Sequence, residues 1–267
     1  MIHIESIKDI PLMAGRITIF FIREMGRVTL FFLKGAAFIF TYPFQLKKIV
    51  QQTYFIGAKS LLVVSLTAVF TGMVLGLQGY YTLIKFGSEG LLGAAVSLTL
   101  IRELGPVLTA VMIIGRAGSA IAAEIGIMRI SEQIDALVTM DINPVRFLVA
   151  PRIVAAVICF PLLTAIFDVI GIFGGYLTGS VLLGINPGIY FSRIQTSVIM
   201  DDITGGFIKS IAFAVVVVTI CCYQGYFVHK REEGFGARGV SLATTSSVVI
   251  SCVLILIVDY VLTSILL

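Results

Sequence analysis

The chain has 267 residues, 58% of them hydrophobic and only 13% charged, with a mean hydropathy of +1.05. One soluble domain cannot hide that much apolar surface, so the composition excludes a globular soluble protein and describes an all-α polytopic membrane protein. The net charge of +4 says less than where the charges fall, and no nucleic-acid partner is expected. Cys159, Cys221, Cys222 and Cys252 lie in apolar runs, as buried small hydrophobes do, rather than in a disulfide framework. His3 and His229 have no cysteine or carboxylate constellation around them, so no metal is assigned. Residues 1–11 are mixed polar, and no cleavable leader is expected.

Residues 10–42 are apolar but carry Arg16, Arg23, Arg27 and Lys34 at steps of seven, four and seven. At about 100° per residue these four share one narrow helical stripe. Such a stripe predicts an N-terminal amphipathic helix lying in the membrane interface, its cations reaching lipid phosphates. An ordinary first span with snorkelling arginines is the alternative. Pro43 ends the segment, and Lys47, Lys48 and Lys59 keep the next one in water. Residues 1–58 therefore read as a cytoplasmic, interfacial N-terminal region, and 59–267 as a five-span membrane domain.

The first span covers 60–81, where the pair Gly72 and Gly76 permits close approach of another helix. The second covers about 96–120. Residues 124–141 then become amphipathic: Ile127, Ile130, Ile134, Leu137 and Val138 recur at helical spacing, with Arg129, Glu132 and Asp135 pointing elsewhere. After the break at Asn143-Pro144, the third span runs over about 150–180, interrupted by Pro161 and Asp168 and rich in glycine. A loop over 186–202 leads to the fourth span, 206–228. The cluster from His229 to Glu233 precedes the last, 242–266. Each is roughly 20–30 residues, enough for about 30 Å of hydrocarbon.

Lysines and arginines give the orientation. Fifteen fall before the first span, between the second and third, or after the fourth; the opposite side has only Lys85 and Arg193, and Arg102 and Lys209 lie within spans. By the positive-inside rule the N-terminus is cytoplasmic, the C-terminus is outside, and the 124–141 helix is cytoplasmic.

The chain has no Walker A phosphate loop: residues 206–210 supply a Lys-Ser pair without the required glycine spacing, inside a span. It is not expected to be an enzyme, and any ATP and magnesium would sit on a partner. A cytoplasmic helix between two spans looks like a coupling helix for a separate ATPase, with Glu124, Arg129, Glu132 and Asp135 as its contact candidates. Amphipathicity alone equally describes a structural interfacial loop. The runs 72–79 (GMVLGLQG), 102–106 (RELGP), 115–119 (GRAGS), 123–126 (AEIG) and 132–136 (EQIDA) resemble the MlaE family, the ABC permeases of bacterial lipid-asymmetry, MCE-associated systems. The resemblance covers the chain from about Lys59 onward. It implies a homodimeric permease in the bacterial inner membrane, a cytoplasmic ABC ATPase pair and an MCE-domain protein on the periplasmic side. The implied substrate is phospholipid moving between inner and outer membranes.

Charges at bilayer depth are expensive unless paired or hydrated. Glu103 lies about seven residues into the second span, roughly 10 Å from its outer end. Lys209 starts the fourth span on that side, and Asp259 lies near the outer end of the fifth. The three either converge on a hydrated mouth for a lipid headgroup or form an ion-pair set holding the helices together; charges at these positions in the family favour the first slightly. Asp168 is expected to be hydrogen-bonded packing, and Arg102 to snorkel. On the first span Leu75, Gln78, Thr82 and Phe86, with Leu83 beside them, recur at helical steps toward Glu103's end. As a set they are the candidate lipid-facing wall, although plain helix packing produces the same stripe. A secondary transporter would call for inverted repeats, which are not evident. A non-transporting scaffold, or a permease for another hydrophobic compound, remains the alternative.

Overall fold

The computed structural model describes residues 6–38, 45–230 and 236–266. The expected Pro43 stop, the charged residues 231–233, His3 and the terminal residue 267 fall outside these. Among the described residues, five stretches are long and apolar enough to cross a membrane: Leu46–Phe86, Glu89–Ile130, Pro144–Leu182, Met200–Tyr226 and Ala237–Leu266. Helix α1 (Ser6–Ala37) is not one of them.

Helix α1 docks through Phe31, whose ring packs at 5.5–5.9 Å on Tyr223, Tyr226 and Phe227. Tyr223 donates to Glu24 Oε1 at 3.0 Å, and Glu24 pairs with Arg27 at 3.1 Å. Roughly 160° around the helix from Phe31, Ile22 and Leu33 stand exposed. The stripe carrying Arg23, Arg27 and Lys34 runs between these two faces. One side on protein, one side bare and apolar, and cations between them suit a helix lying in the interface. A short helix α2 (Leu46–Ile56) follows as an elbow before the first span, α3 (Leu61–Leu83).

Helix α3 packs chiefly along α9 (Ala150–Tyr176), and glycine is why. A Cβ at Gly72 would collide with the carbonyl of Gly171, and one at Gly76 would stand 3.0 Å from that of Gly175. Two glycine pairs one turn apart thus bring the backbones into direct contact, where van der Waals packing holds helices in a membrane.

The second span is continuous from α4 (Leu92–Thr99) through α5 (Gly105–Ile113) to α6 (Ser119–Ile130), joined by π turns at Leu100–Leu104 and Ile114–Gly118. The helix expected over 124–141 is two pieces. Helix α6 stops at Ile130, Glu132 takes a left-handed backbone (φ 60°), and α7 (Gln133–Thr139) sets off in a new direction. The amphipathic pattern is real, but the chain turns inside it. Asn143 then caps α8 (Pro144–Leu148), its side chain accepting from Val145 N and Arg146 N.

The expected loop over 186–202 contains helix α10 (Pro187–Ser197). Asn186 caps it, and Tyr190, fully buried, donates to the Ile172 carbonyl at 3.1 Å. Helix α11 (Met200–Tyr226) is the centre of the bundle, with 61% of its apolar window buried, against 11% for the peripheral α12 (Ala237–Leu266). The cysteines are free; Cys159, Cys221 and Cys222 are buried and Cys252 partly so.

Candidate functional site

Helix α11 carries Asp202, Gly206 and Lys209 at i, i+4 and i+7, one stripe near its N-terminus. A Cβ at Gly206 would stand only 2.6 Å from the Ile101 carbonyl, so the bare glycine lets α11 lie against the π turn at Leu100–Leu104. That turn presents two successive residues to α11. Arg102 Nε donates to Asp202 Oδ1 at 2.7 Å, and Glu103 Oε2 lies 2.7 Å from Lys209 Nζ. Single π turns inside α-helices often mark functional sites.

Lys209 is the hub. Its ammonium is within 2.7 Å of Glu103, 2.8 Å of the Arg102 carbonyl, to which it donates, and 3.2 Å of Asp259 Oδ1 on α12. The Asp259 contact is an ion pair whose angles fall short of a hydrogen bond. Thr263, one turn beyond Asp259, donates to Glu103 Oε1 at 3.2 Å. Three oxygens thus surround the ammonium of a side chain only 4% exposed. Such pairing is what makes a charge tolerable at bilayer depth.

Arg102, Glu103, Asp202 and Lys209 floor a cleft of about 360 Å³ bounded also by Leu98, Thr99, Asp201, Gly205 and Leu266, with Asp259 behind it. Glu103, Lys209 and Asp259, distant in sequence, therefore do meet. Arg102, expected to snorkel, instead pairs with Asp202, which also accepts from the Ile199 N–H as a helix-start cap. Asp202, Asp201 and Thr263 are site residues that sequence reasoning passed over. The signal for Asp202 was its seven-residue spacing to Lys209, and for Thr263 its four-residue spacing to Asp259.

The α3 stripe does not complete this cleft within one chain. Gln78, Thr82 and Phe86 are exposed, Leu75 and Leu83 pack partly against the core, and none of the five borders the cavity. Helix spacing put them on one face; it could not say that α9 rather than α11 would be α3's neighbour. Asp168 differs as well. Its Oδ1 is buried against Gly105 with no hydrogen-bond partner among the described residues.

At the opposite end of the bundle the four coupling candidates divide by role. Glu124 pairs with the buried Arg152 at 2.8 Å, tying α6 to the start of α9. Arg129 donates to Asp135 at 2.7 Å and to His229 Nδ1 at 3.0 Å, and lies over the Tyr226 ring at 5.8 Å. It thereby clasps α7 to the end of α11. Glu132 and Asp135 stand exposed at the tip, with Val138 (57%) and Met140 (68%) bare beside them. An exposed apolar strip rimmed by charge suits burial against another protein.

Residues 49–265 match the family described as Permease MlaE. The intermembrane phospholipid transport system permease protein MlaE of Haemophilus influenzae is 44% identical over 94% of this chain and 95% of its own. A Rickettsia typhi protein named as a probable ABC transporter permease is 41% identical over 97% of this chain and 98% of its own. The chloroplastic protein TRIGALACTOSYLDIACYLGLYCEROL 1 of Arabidopsis thaliana is 36% identical over 80% of this chain and 60% of its own.

Proposed function

The chain belongs to the MlaE permease family, and from that premise we propose that it is the membrane-spanning permease of an ABC transporter moving phospholipid between inner and outer membranes. The observation that carries the reading to residues is the charged cleft around Lys209, set at one end of the bundle and edged by the apolar Leu98 and Leu266. A small polar solute would need several converging donors and acceptors along its path. A two-chain lipid needs polar groups only where its headgroup passes, and an apolar surface for the rest.

In this reading the cleft is the headgroup station at the periplasmic end. Arg102 and Glu103 are the partly exposed charges there, while Lys209 and Asp259 hold Glu103's helix to α11 and α12. The apolar rim at Leu98 and Leu266 faces the acyl chains. The stripe of Leu75, Gln78, Thr82, Leu83 and Phe86 remains the candidate lipid wall, but as a surface shared with a second copy of the chain, since its own chain leaves it largely uncovered. A cytoplasmic ABC ATPase grips the α6–α7 tip at Glu132 and Asp135. Arg129 passes that force into α11, whose other end carries Lys209. An MCE-domain protein receives the lipid on the periplasmic side. The fifteen-to-two distribution of basic residues supports a cytoplasmic N-terminus in the inner membrane.

Photocrosslinkers placed at Leu98 and Leu266 test the assignment in the purified complex. Capture of phospholipid at both supports it. Crosslinks to neighbouring helices only, with lipid recovered from neither, would move the headgroup station elsewhere.

A further inference from the structure

The residues around the cleft are unequal in what they have left to offer a ligand. Lys209, at 4% exposure, already faces Glu103, Asp259 and the Arg102 carbonyl. Asp202, at 7%, is occupied by Arg102 and by the Ile199 N–H. What the cleft still presents is Arg102 (41% exposed) with its remaining guanidinium edge, the exposed Asp201, and the open side of Glu103 (38% exposed), a carboxylate that also holds Lys209 and accepts from Thr263. That is one cation beside two carboxylates, with the Lys209 ammonium already engaged inside the protein.

We propose that this cleft selects phospholipids with a zwitterionic headgroup, an ammonium a few bonds from the phosphodiester, over those whose headgroup is only anionic. The inference rests on reading the cleft as the headgroup station. Arg102 takes the phosphate as a planar fork of N–H donors. Glu103 and Asp201 take the ammonium. An anionic headgroup finds the same single cation and meets two carboxylates with nothing to offer them, and the repulsion disfavours it. The two carboxylates are partly exposed and share one ammonium, so together they contribute a few-fold preference rather than absolute discrimination.

The test is lipid retention by the intact transporter, reconstituted in vesicles of equal phosphatidylethanolamine and phosphatidylglycerol, re-extracted, and its bound lipid identified by mass spectrometry. The retained pool should be enriched in phosphatidylethanolamine about three- to five-fold, the scale of one partly exposed ion pair. Asp201→Asn, which disturbs no ion pair among the described residues, should lower the enrichment, and adding Glu103→Gln should bring it close to the bulk ratio. Arg102→Gln should lower retention of both lipids together. Retention at the bulk ratio by the unaltered protein would overturn the proposal. So would an enrichment indifferent to Asp201→Asn and Glu103→Gln. Displacement of the retained lipid by soluble glycerophosphoethanolamine at a concentration no higher than the lipid's would also overturn it, because the cleft would then be a site for a free headgroup. Crosslinkers at Leu98 and Leu266 in the same preparation keep the two readings apart: lipid captured there without headgroup preference sinks the selectivity alone, whereas no lipid captured sinks the headgroup station itself.

Discussion

Replacing Lys209 with methionine tests how firmly the charged hub holds three helices together. The substitution keeps the length of the stem but leaves Glu103 and Asp259 facing each other without a cation. Removing one partner of a fully buried ion pair costs about 3–5 kcal/mol, whereas exposed pairs contribute about 1 kcal/mol or less. Lys209 is 4% exposed, but Asp259 is 19% and Glu103 38% exposed, so both carboxylates keep some access to water. Glu103 also keeps its hydrogen bond from Thr263. The loss should therefore fall between the exposed and the fully buried cases, about 2–3 kcal/mol. At about 2–4 °C per kcal/mol for a chain of this size, the apparent Tm in detergent should drop about 4–12 °C. Adding Asp259→Asn removes the carboxylate the methionine stranded, and should restore about 1–2 kcal/mol of the loss. Size-exclusion chromatography after heating, all variants at one heating rate, reads both shifts. Equal stability of Lys209→Met and the unaltered chain would refute the argument, as would a double variant no better than the single.

Gly72→Ala should cost about 1–3 kcal/mol by forcing α3 from α9, and Gly72→Leu should prevent recovery of a monodisperse protein; the same heating assay checks both. Arg129→Ala should release α7 from α11. Lipid-stimulated ATP hydrolysis by the complex is then expected to fall several-fold while the permease still inserts and retains lipid, and unchanged stimulation would remove Arg129 from the coupling path. For topology, Lys85→Cys in a cysteine-free background should react with an impermeant maleimide in intact spheroplasts, and Ser131→Cys only after permeabilisation. The reverse pattern would invert the orientation and the coupling argument together.

Much of this architecture was legible because membrane physics writes it plainly. Five apolar stretches and glycines spaced at one turn each had one dominant explanation. The convergence of Glu103, Lys209 and Asp259 followed from shared depth, since three charges in one layer of hydrocarbon need one another. What stayed hidden depended on geometry that residue types do not mark. Glu132 adopts a left-handed backbone with no glycine or proline to announce it, so the 124–141 pattern read as one helix. The π turn at 100–104 inserts its extra residue without a sequence signature, and only there do Arg102 and Glu103 both reach α11. Helix α10 did carry a signal, Asn186 followed by Pro187, a cap and a first-turn proline. The α3 stripe shows the limit of periodicity, which assigns residues to a face but not a neighbour to that face.

The central claim is that this permease passes phospholipid by way of the cleft around Lys209. Its most direct test is ATP-driven movement of a labelled phospholipid in proteoliposomes holding the permease with the ATPase and MCE-domain partners proposed for it. The account predicts movement that requires ATP and falls several-fold in Arg102→Gln, at a partly exposed cation of the cleft, while that variant still assembles and hydrolyses ATP. Assembled, ATP-hydrolysing complexes that move no phospholipid, or that move it equally well with Arg102→Gln, would contradict it.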